Sequence, residues 1–354
     1  MSCSVFLAPC SSLQAMTLEL DATDRRLLNL LQSSFPLTPA PFASLAAELG
    51  TTEEEVLQRV RGLRGAGVLR RLSAIFDLQR LGYESSLVAM AVAPERLDEA
   101  AAAISAHPGD SHNSSRDHWF NLWFVLAIPG QHDFQSTVAD LAGKIDARRA
   151  IALPALRVYK IDVRYDVEEG IGISNGEGAG TKKGPRRDLT PEEITLVRVL
   201  QRDLAIAGRP FAEGARSLGL TEEELLARAR DLLDEGIMRR FAAVLRHQEA
   251  GFVANGMACW VVPEERVDEV GQALAASPRV SHCYRRPTHP DWPYALFSMV
   301  HARTSAQCEA VVAGLSRQTG ISDYVILYST REYKKERVQY FTEEEERSSH
   351  GHDS

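Results

Sequence analysis

Gly67-Val68-Leu69-Arg70-Arg71-Leu72 and Gly236-Ile237-Met238-Arg239-Arg240-Phe241 are two versions of one phrase. Each follows a helical segment that opens Thr-Glu-Glu-Glu, at Thr52 to Glu55 and at Thr221 to Glu224. The second phrase begins 169 residues after the first (236 minus 67). Farther along, Ser111-His112 follows His107-Pro108 just as Ser281-His282 follows Ser277-Pro278, so the order of the first half returns across the second. Self-similarity on this scale marks a duplicated domain, each copy of ordinary single-domain size. The chain reads as an internal pseudo-dimer, and any site between its halves is built from non-identical copies of one scaffold.

With 354 residues, 44% hydrophobic and 25% charged, the chain is long enough for more than one core and has the composition of a globular protein. A net charge of −8 argues against a general polyanion binder. The apolar run within Ser2 to Met16 has no basic residue ahead of it, and no later stretch approaches a membrane span. The cytoplasm is the expected compartment, with no membrane partner. Cys3, Cys10, Cys259, Cys283 and Cys308 form no CxxC pair, which fits a reducing compartment and speaks against structural zinc. Nothing has the spacing of a phosphate-binding loop, a nucleophile elbow or a metal-ligand cluster, so no metal site is expected.

Each half opens with three short helices. Thr190-Pro191-Glu192-Glu193 offers a capping hydroxyl, proline at the first helical position and glutamate three residues after the cap, ahead of Ile194, Val197 and Leu200 at helical spacing. Phe211 to Leu218 is a second helix stopped at Gly219, and Thr221 caps a third that Gly236 ends. The first half does likewise from Asp21, Phe42 and Thr52. Two helices joined by a tight turn and followed by a strand through the arginine pair predict a winged helix-turn-helix.

The period then changes. Leu87 to Val92, Asp110 to Arg116, Asn121 to Ile128 and Arg157 to Val163 are expected strands, with helices over Glu95 to Ala106 and Phe134 to Ile145. The second half repeats the order with Gly256 to Val262, Glu264 to Ala276, Arg279 to Arg286, Tyr294 to His301, Thr304 to Thr319 and Asp323 to Ser329. The order βαββαβ is that of a ferredoxin-like α+β sandwich, whose helices cover one sheet face and leave the other to pair. The two free faces are therefore expected to pack on each other.

The fold class is α+β, with two tandem copies of helix-turn-helix plus ferredoxin-like domain. A disordered start over 1–18 precedes domains at 19–72 and 73–166, a Gly- and charge-rich linker at 167–187, domains at 188–241 and 242–341, and a disordered acidic tail at 342–354.

This order of elements resembles the Lrp/AsnC family of transcription regulators, in which the βαββαβ domain dimerises and binds small effectors. A DNA-reading helix should offer basic or amide side chains at its N-terminal end. Glu53 to Glu55 and Glu222 to Glu224 suit a helix N-terminus but repel phosphate, and Arg59, Arg61, Arg64, Arg228 and Arg230 lie farther along. No DNA partner is expected. The alternative reading is a heme- or metabolite-sensing regulator of this type.

A second resemblance covers both halves. Ser111-His112-Asn113 through Arg116-Asp117-His118-Trp119-Phe120-Asn121-Leu122-Trp123-Phe124 is similar to the signature of one subunit type of the siroheme decarboxylases. Ser281-His282-Cys283-Tyr284-Arg285-Arg286-Pro287 through Asp291-Trp292-Pro293-Tyr294, with Met299-Val300-His301, is similar to that of the other, and both arginine pairs and Asn255 to Trp260 recur in the family. Ser114 stands where the family usually has tyrosine.

The resemblance implies loss of carbon dioxide from two acetate side chains of siroheme, giving didecarboxysiroheme on the route to heme or heme d1. It implies no cofactor beyond the iron tetrapyrrole substrate. Such a substrate needs cationic forks for its carboxylates, offered by Arg70, Arg71, Arg116, Arg239, Arg240, Arg285 and Arg286, and aromatic walls, offered by Trp123, Tyr284 and Trp292; the alternative for Trp123, as for Leu296, is a place in the core with at most a ring edge exposed. Strand alternation puts His112, Ser114 and Arg116 on one face and His282, Tyr284 and Arg286 on the matching one. His112 is the expected general acid, assisted by His118, which the following hairpin is expected to fold over the same face, and His282 is a further catalytic candidate. His247 and His301, without histidine counterparts in the first half, are either iron ligands or core residues. A homodimer or a complex with a paralogous fused subunit both stay open.

Overall fold

The computed structural model describes residues 20–33, 35–161, 164–166, 171–173, 187–245, 254–302 and 304–342. The expected loose start over 1–18, nearly all of the tail from 342 on, most of the linker and His247 lie outside the described residues. The first half opens with α1 (Ala22–Ser33), α2 (Pro41–Leu49) and α3 (Glu53–Gly65), then β1 (Leu69–Phe76). Thr52 caps α3 by accepting from the Glu55 amide. The second half opens with α6 (Pro191–Leu200), α7 (Ala212–Ser217) and α8 (Glu222–Asp234), then β9 (Met238–Leu245). Thr190 forms the reciprocal capping box expected of it, and Thr221, expected as a cap, forms one as well. Gly67 and Gly236 carry the turn into each arginine strand at φ 77° and 74°, a backbone region that strains other residues.

Between these blocks lie β2 (Tyr83–Ala91), α4 (Leu97–Ser105), β3 (Asp110–Arg116), β4 (Leu122–Pro129), α5 (Phe134–Lys144), β5 (Arg149–Leu153) and β6 (Arg157–Ile161). A small hairpin of β7 (Arg164–Asp166) and β8 (Ile171–Ile173) follows. After β9 come β10 (Ala254–Trp260), α9 (Val267–Ala276), β11 (Val280–Arg285), β12 (Leu296–Ala302), α10 (Ser305–Thr319) and β13 (Tyr324–Lys335).

The strand order β5-β2-β4-β3 in the first half and β13-β10-β12-β11 in the second is the ferredoxin-like arrangement, and the two sheets join through exchanged strands. β13 pairs β10 of its own half up to Tyr328 and then β3 of the other, ending with Lys335 opposite His112. β6 does the reciprocal on β11, with Ile161 opposite His282.

This corrects one expectation. The fourth strand of the first sheet is Arg149–Leu153, and Arg157–Ile161 is the exchanged piece. Pro154, which lacks an amide donor, splits what the second half builds as one strand.

Val88, Met90, Phe124 and Leu126 pack under α4 and α5, and a matching core lies under α9 and α10. Ala89, Trp123, Ile151 and Leu153 meet Met257, Cys259, Phe297 and Leu327 between the sheets, so the expected face-to-face packing occurs within the chain. Both helix-turn-helix blocks share one core around the β1–β9 ribbon, including Leu27, Leu28 and Leu31 on one stripe of α1. Each such leucine contributes about 1.5–3 kcal/mol by leaving water.

Candidate active site

The two arginine pairs lie on one antiparallel ribbon, with Arg71 opposite Val244 and Arg240 opposite Ile75. Arg70 and Arg239 are each the extra residue of a bulge at equivalent places. A bulge re-aims its side chain; these two are exposed, whereas Arg71 and Arg240 are half-buried. Their partners differ. Arg239 forks onto the buried Asp77 carboxylate, at 2.8 Å from Nη2 and 3.2 Å from Nε. Arg70 makes no hydrogen bond or ion pair among the described residues. Arg71 donates to the Gln201 carbonyl, and its Nε has no partner.

Both Ser-His pairs also sit on bulges. His112 opposes Val125 and Asp110 opposes Leu126, which leaves Ser111 extra; His282 opposes Met299 and Val280 opposes Val300, which leaves Ser281 extra. Each hydroxyl meets the next ring, Ser111 Oγ to His112 Nδ1 at 3.1 Å and Ser281 Oγ to His282 Nδ1 at 2.8 Å. Beyond the bulge Asn113 turns to the helices and donates to the Ala101 carbonyl at 2.9 Å, while His112, Ser114 and Arg116 occupy the alternate positions.

The His112 side chain is exposed to water, although many atoms crowd around it. Burial holds its imidazole below the ordinary pKa; Lys335, Arg70 and Arg337 push the same way, and Glu332 opposes them. Lys335 and Arg337 are functional candidates that sequence reasoning missed, because nothing local shows that the end of the second half inserts into the first. The run Lys334-Lys335-Glu336-Arg337 ahead of Tyr340-Phe341 was the available signal. Arg337 is pushed down to about 10 by burial, with Arg240 and Arg71 adding to the shift, and it has no hydrogen bond or ion pair among the described residues. Lys335 has Glu332 at 3.6 Å.

At the other corner the Ser281 hydroxyl also meets His301 Nε2 at 2.6 Å. One hydroxyl proton cannot serve two rings, so one imidazole N–H donates and the chain His282–Ser281–His301 has a proton order. Lys335 also depresses His301, after burial, and so links the two corners. Val158 and Ile161, at the places of Glu332 and Lys335, are exposed.

Arg116 and Arg286 reach between the sheets. Arg116 Nη1 donates to the Leu327 carbonyl at 2.9 Å, and Arg286 Nη1 donates to the equivalent Leu153 carbonyl. Burial pushes both down to about 10, and both act on the Cys259 thiol. The Arg286 guanidinium lies over Tyr284, 4.9 Å from the ring centre, and neither Nε has a partner.

Two expected placements do not occur. Trp123 is 1% exposed, donates from Nε1 to the Phe120 carbonyl at 2.6 Å and packs on the equally buried Trp292, so both are core rather than wall. His118 does not fold over His112. Its Nδ1 accepts the Phe120 amide at 3.0 Å and its ring stands edge-on to Trp292, which makes it a fastening of the hairpin. Among the described residues no cluster of His, Cys, Asp or Glu could hold a metal ion.

Comparison with known proteins adds an independent line. The AsnC-like ligand binding domain matches residues 80–160 and 249–334, and the siroheme decarboxylase NirDL-like HTH domain matches 24–70 and 193–239. The siroheme decarboxylase of Hydrogenobacter thermophilus is 38% identical over 91% of this chain and 96% of its own length. The siroheme decarboxylase beta subunit of Methanosarcina barkeri is 43% identical over 42% of this chain and 97% of its own length. The crystal structure of siroheme decarboxylase NirDL in co-complex with an iron-uroporphyrin III analogue superposes with a TM-score of 0.75 at 35% identity, covering 93% of this chain and 97% of that one.

Proposed function

Since this chain belongs to the siroheme decarboxylase family, we propose that it removes carbon dioxide from two acetate side chains of siroheme, as a carboxy-lyase, with His112 as proton donor. The observation that carries the reading is that Lys335, Arg70 and Arg337 act on His112, with Arg71 and Arg240 in turn beside Arg337, and Glu332, 3.6 Å from Lys335, as the opposing carboxylate. Like charges gathered in one place repel one another, and a polycarboxylate ligand offsets that repulsion.

When the bond between methylene carbon and carboxylate breaks, its electron pair passes into the conjugated ring and carbon dioxide leaves. A proton from His112 then ends on the methylene carbon, which becomes a methyl. In the empty protein burial, and after it the neighbouring cations, hold the His112 imidazole below its ordinary pKa. Substrate carboxylates shield those cations and raise the imidazole pKa, so binding itself loads the donor.

Arg116, about 13 Å along the strand from His112 at its usual rise per residue, and Arg286, as many residues beyond His282, extend the cationic lining between the sheets. The chemistry uses no cofactor beyond the iron tetrapyrrole itself. We place the reaction in the cytoplasm, on the support of Cys259, Cys283 and Cys308 as buried free thiols. No DNA partner is proposed: Arg59 is tied to Asp21, Asp24 and Glu55, and Arg64 to Asp203, so the third helix offers few free cations. No helix among the described residues is long and apolar enough to cross a membrane.

Anaerobic incubation with siroheme followed by mass analysis tests the reading. Loss of two carbon dioxide units per molecule is expected; unchanged siroheme that stays bound would assign the protein to sensing instead.

A further inference from the structure

The segment after β13 is a strap fastened at both ends. The Glu336 amide donates to the Ser111 carbonyl at 2.7 Å, which holds the strap beside His112. At the far end Tyr340 and Gln201 exchange two hydrogen bonds at 2.9 Å, and Arg198 Nε donates to the Phe341 carbonyl at 2.6 Å. The Phe341 amide donates to the Tyr83 hydroxyl at 2.6 Å, which ties the same end to the first half. Lys335 and Arg337 lie at and just past the first fastening, so their backbone is set by both halves at once. Removal of either charge leaves those fastenings in place, because none of them uses the side chain of Lys335 or Arg337.

The equivalent strand shows what this placement adds. β6 meets β11 as the end of β13 meets β3, yet Ile161 stands where Lys335 does and Val158 where Glu332 does. One copy of the scaffold therefore presents an ammonium beside its Ser-His pair and the other an alkyl group. At the ribbon the same division recurs, with Arg239 closed onto Asp77 and Arg70 left open. The charged pair beside the Ser-His bulge is thus present against β3 and absent against β11, although Lys335 also acts on His301 across the two corners.

We infer that Lys335 and Arg337 are specificity-determining residues that make the His112 corner prefer tetrapyrroles bearing more carboxylates, reading side-chain charge rather than the ring. The inference rests on the proposed substrate class and adds the element that selects within it. A tetrapyrrole whose acetates are already methyls would gain little from these two cations, so the strap discriminates substrate from a decarboxylated product.

The test titrates the full chain anaerobically with iron uroporphyrin III, which carries an acetate and a propionate on each pyrrole ring, and with iron coproporphyrin III, in which the acetates are methyls. Wild type, Lys335→Ile, Arg337→Gln, the double variant and the conservative pair Lys335→Arg with Arg337→Lys are compared across a salt series. The double variant is expected to lose about ten- to a hundredfold in affinity for iron uroporphyrin and much less for iron coproporphyrin, with a flatter salt dependence. The conservative pair should keep the preference, and ligand-free melting should be unchanged or higher because like charges have been removed. Equal losses for both porphyrins, or none for either, overturn the inference while leaving the proposed substrate class intact. Failure of the wild type to bind either porphyrin would sink both readings.

Discussion

The two halves share a backbone plan down to the bulges under Arg70 and Arg239 and under Ser111 and Ser281. They differ in what those bulges face. The His112 corner gathers Arg70, Lys335 and Arg337, whereas the His282 corner has Ile161 beside its histidine, and Arg239, the counterpart of Arg70, is closed onto Asp77. Ala127 stands where the second half has His301, and Asp110 where it has Val280. Duplication within one chain lets the backbone be conserved for packing while side chains at matching positions diverge in charge. A symmetric dimer of identical chains cannot do this, since every substitution appears twice.

The strongest way to break this comparison is to remove the two histidines separately. His112→Ala should cut anaerobic product formation by about a hundredfold to ten-thousandfold while iron porphyrin uptake persists. His282→Ala should cost less. A dead His282→Ala beside a normal His112→Ala, measured by single-turnover mass analysis, would move the proton donor to the second half.

Asp110 sharpens the comparison through stability. Burial raises its carboxyl to about 7, with the Lys334 ammonium 4.0 Å away only partly opposing this. The folded state thus holds the proton more tightly than the unfolded chain, so stability falls as pH rises from about 4 through 7. Asp110→Asn should remove that slope and gain on the order of a few kcal/mol at pH 8 in chemical denaturation. Parallel pH profiles for wild type and variant would show that this carboxyl does not titrate with folding.

A smaller stability contrast separates the ribbon ends. Asp77→Ala leaves Arg239 without its partner and should cost about 1–3 kcal/mol. Arg70→Ala, at the equivalent bulge, should leave the melting temperature nearly unchanged and weaken porphyrin binding instead. The reverse pattern would make Arg70 the structural member of the pair.

The last and smallest effect is in binding. The imidazole of His112 starts below its ordinary pKa because of burial and then of Lys335, Arg70 and Arg337. A polycarboxylate raises that pKa, so binding takes up a proton and iron uroporphyrin affinity should improve as pH falls, by at most about tenfold per unit. His112→Ala should flatten this dependence in titrations over pH 5 to 8. An unchanged slope would show that the proton is taken up elsewhere.

Much of the molecule was legible in the chain itself. The repeated arginine phrase, the capping boxes at Thr190 and Thr221 and the change from helical to strand period marked two copies of one α+β unit, because these signals depend on neighbours a few residues apart. Alternation by itself also separates His112, Ser114 and Arg116 from Asn113, as the strand then bears out. The limits have physical causes. Whether Pro154 ends a strand or merely interrupts it depends on which edge the next residues pair with. Trp123 has the same local pattern whether it lines a wall or fills a core, and packing against Trp292 decided that. Lys335 and Arg337 could not be assigned to His112 at all, since 223 residues separate Lys335 from the histidine it faces (335 minus 112). Periodicity sorts residues onto faces; only the pairing of one half's edge with the other's last strand determines which charges share a site.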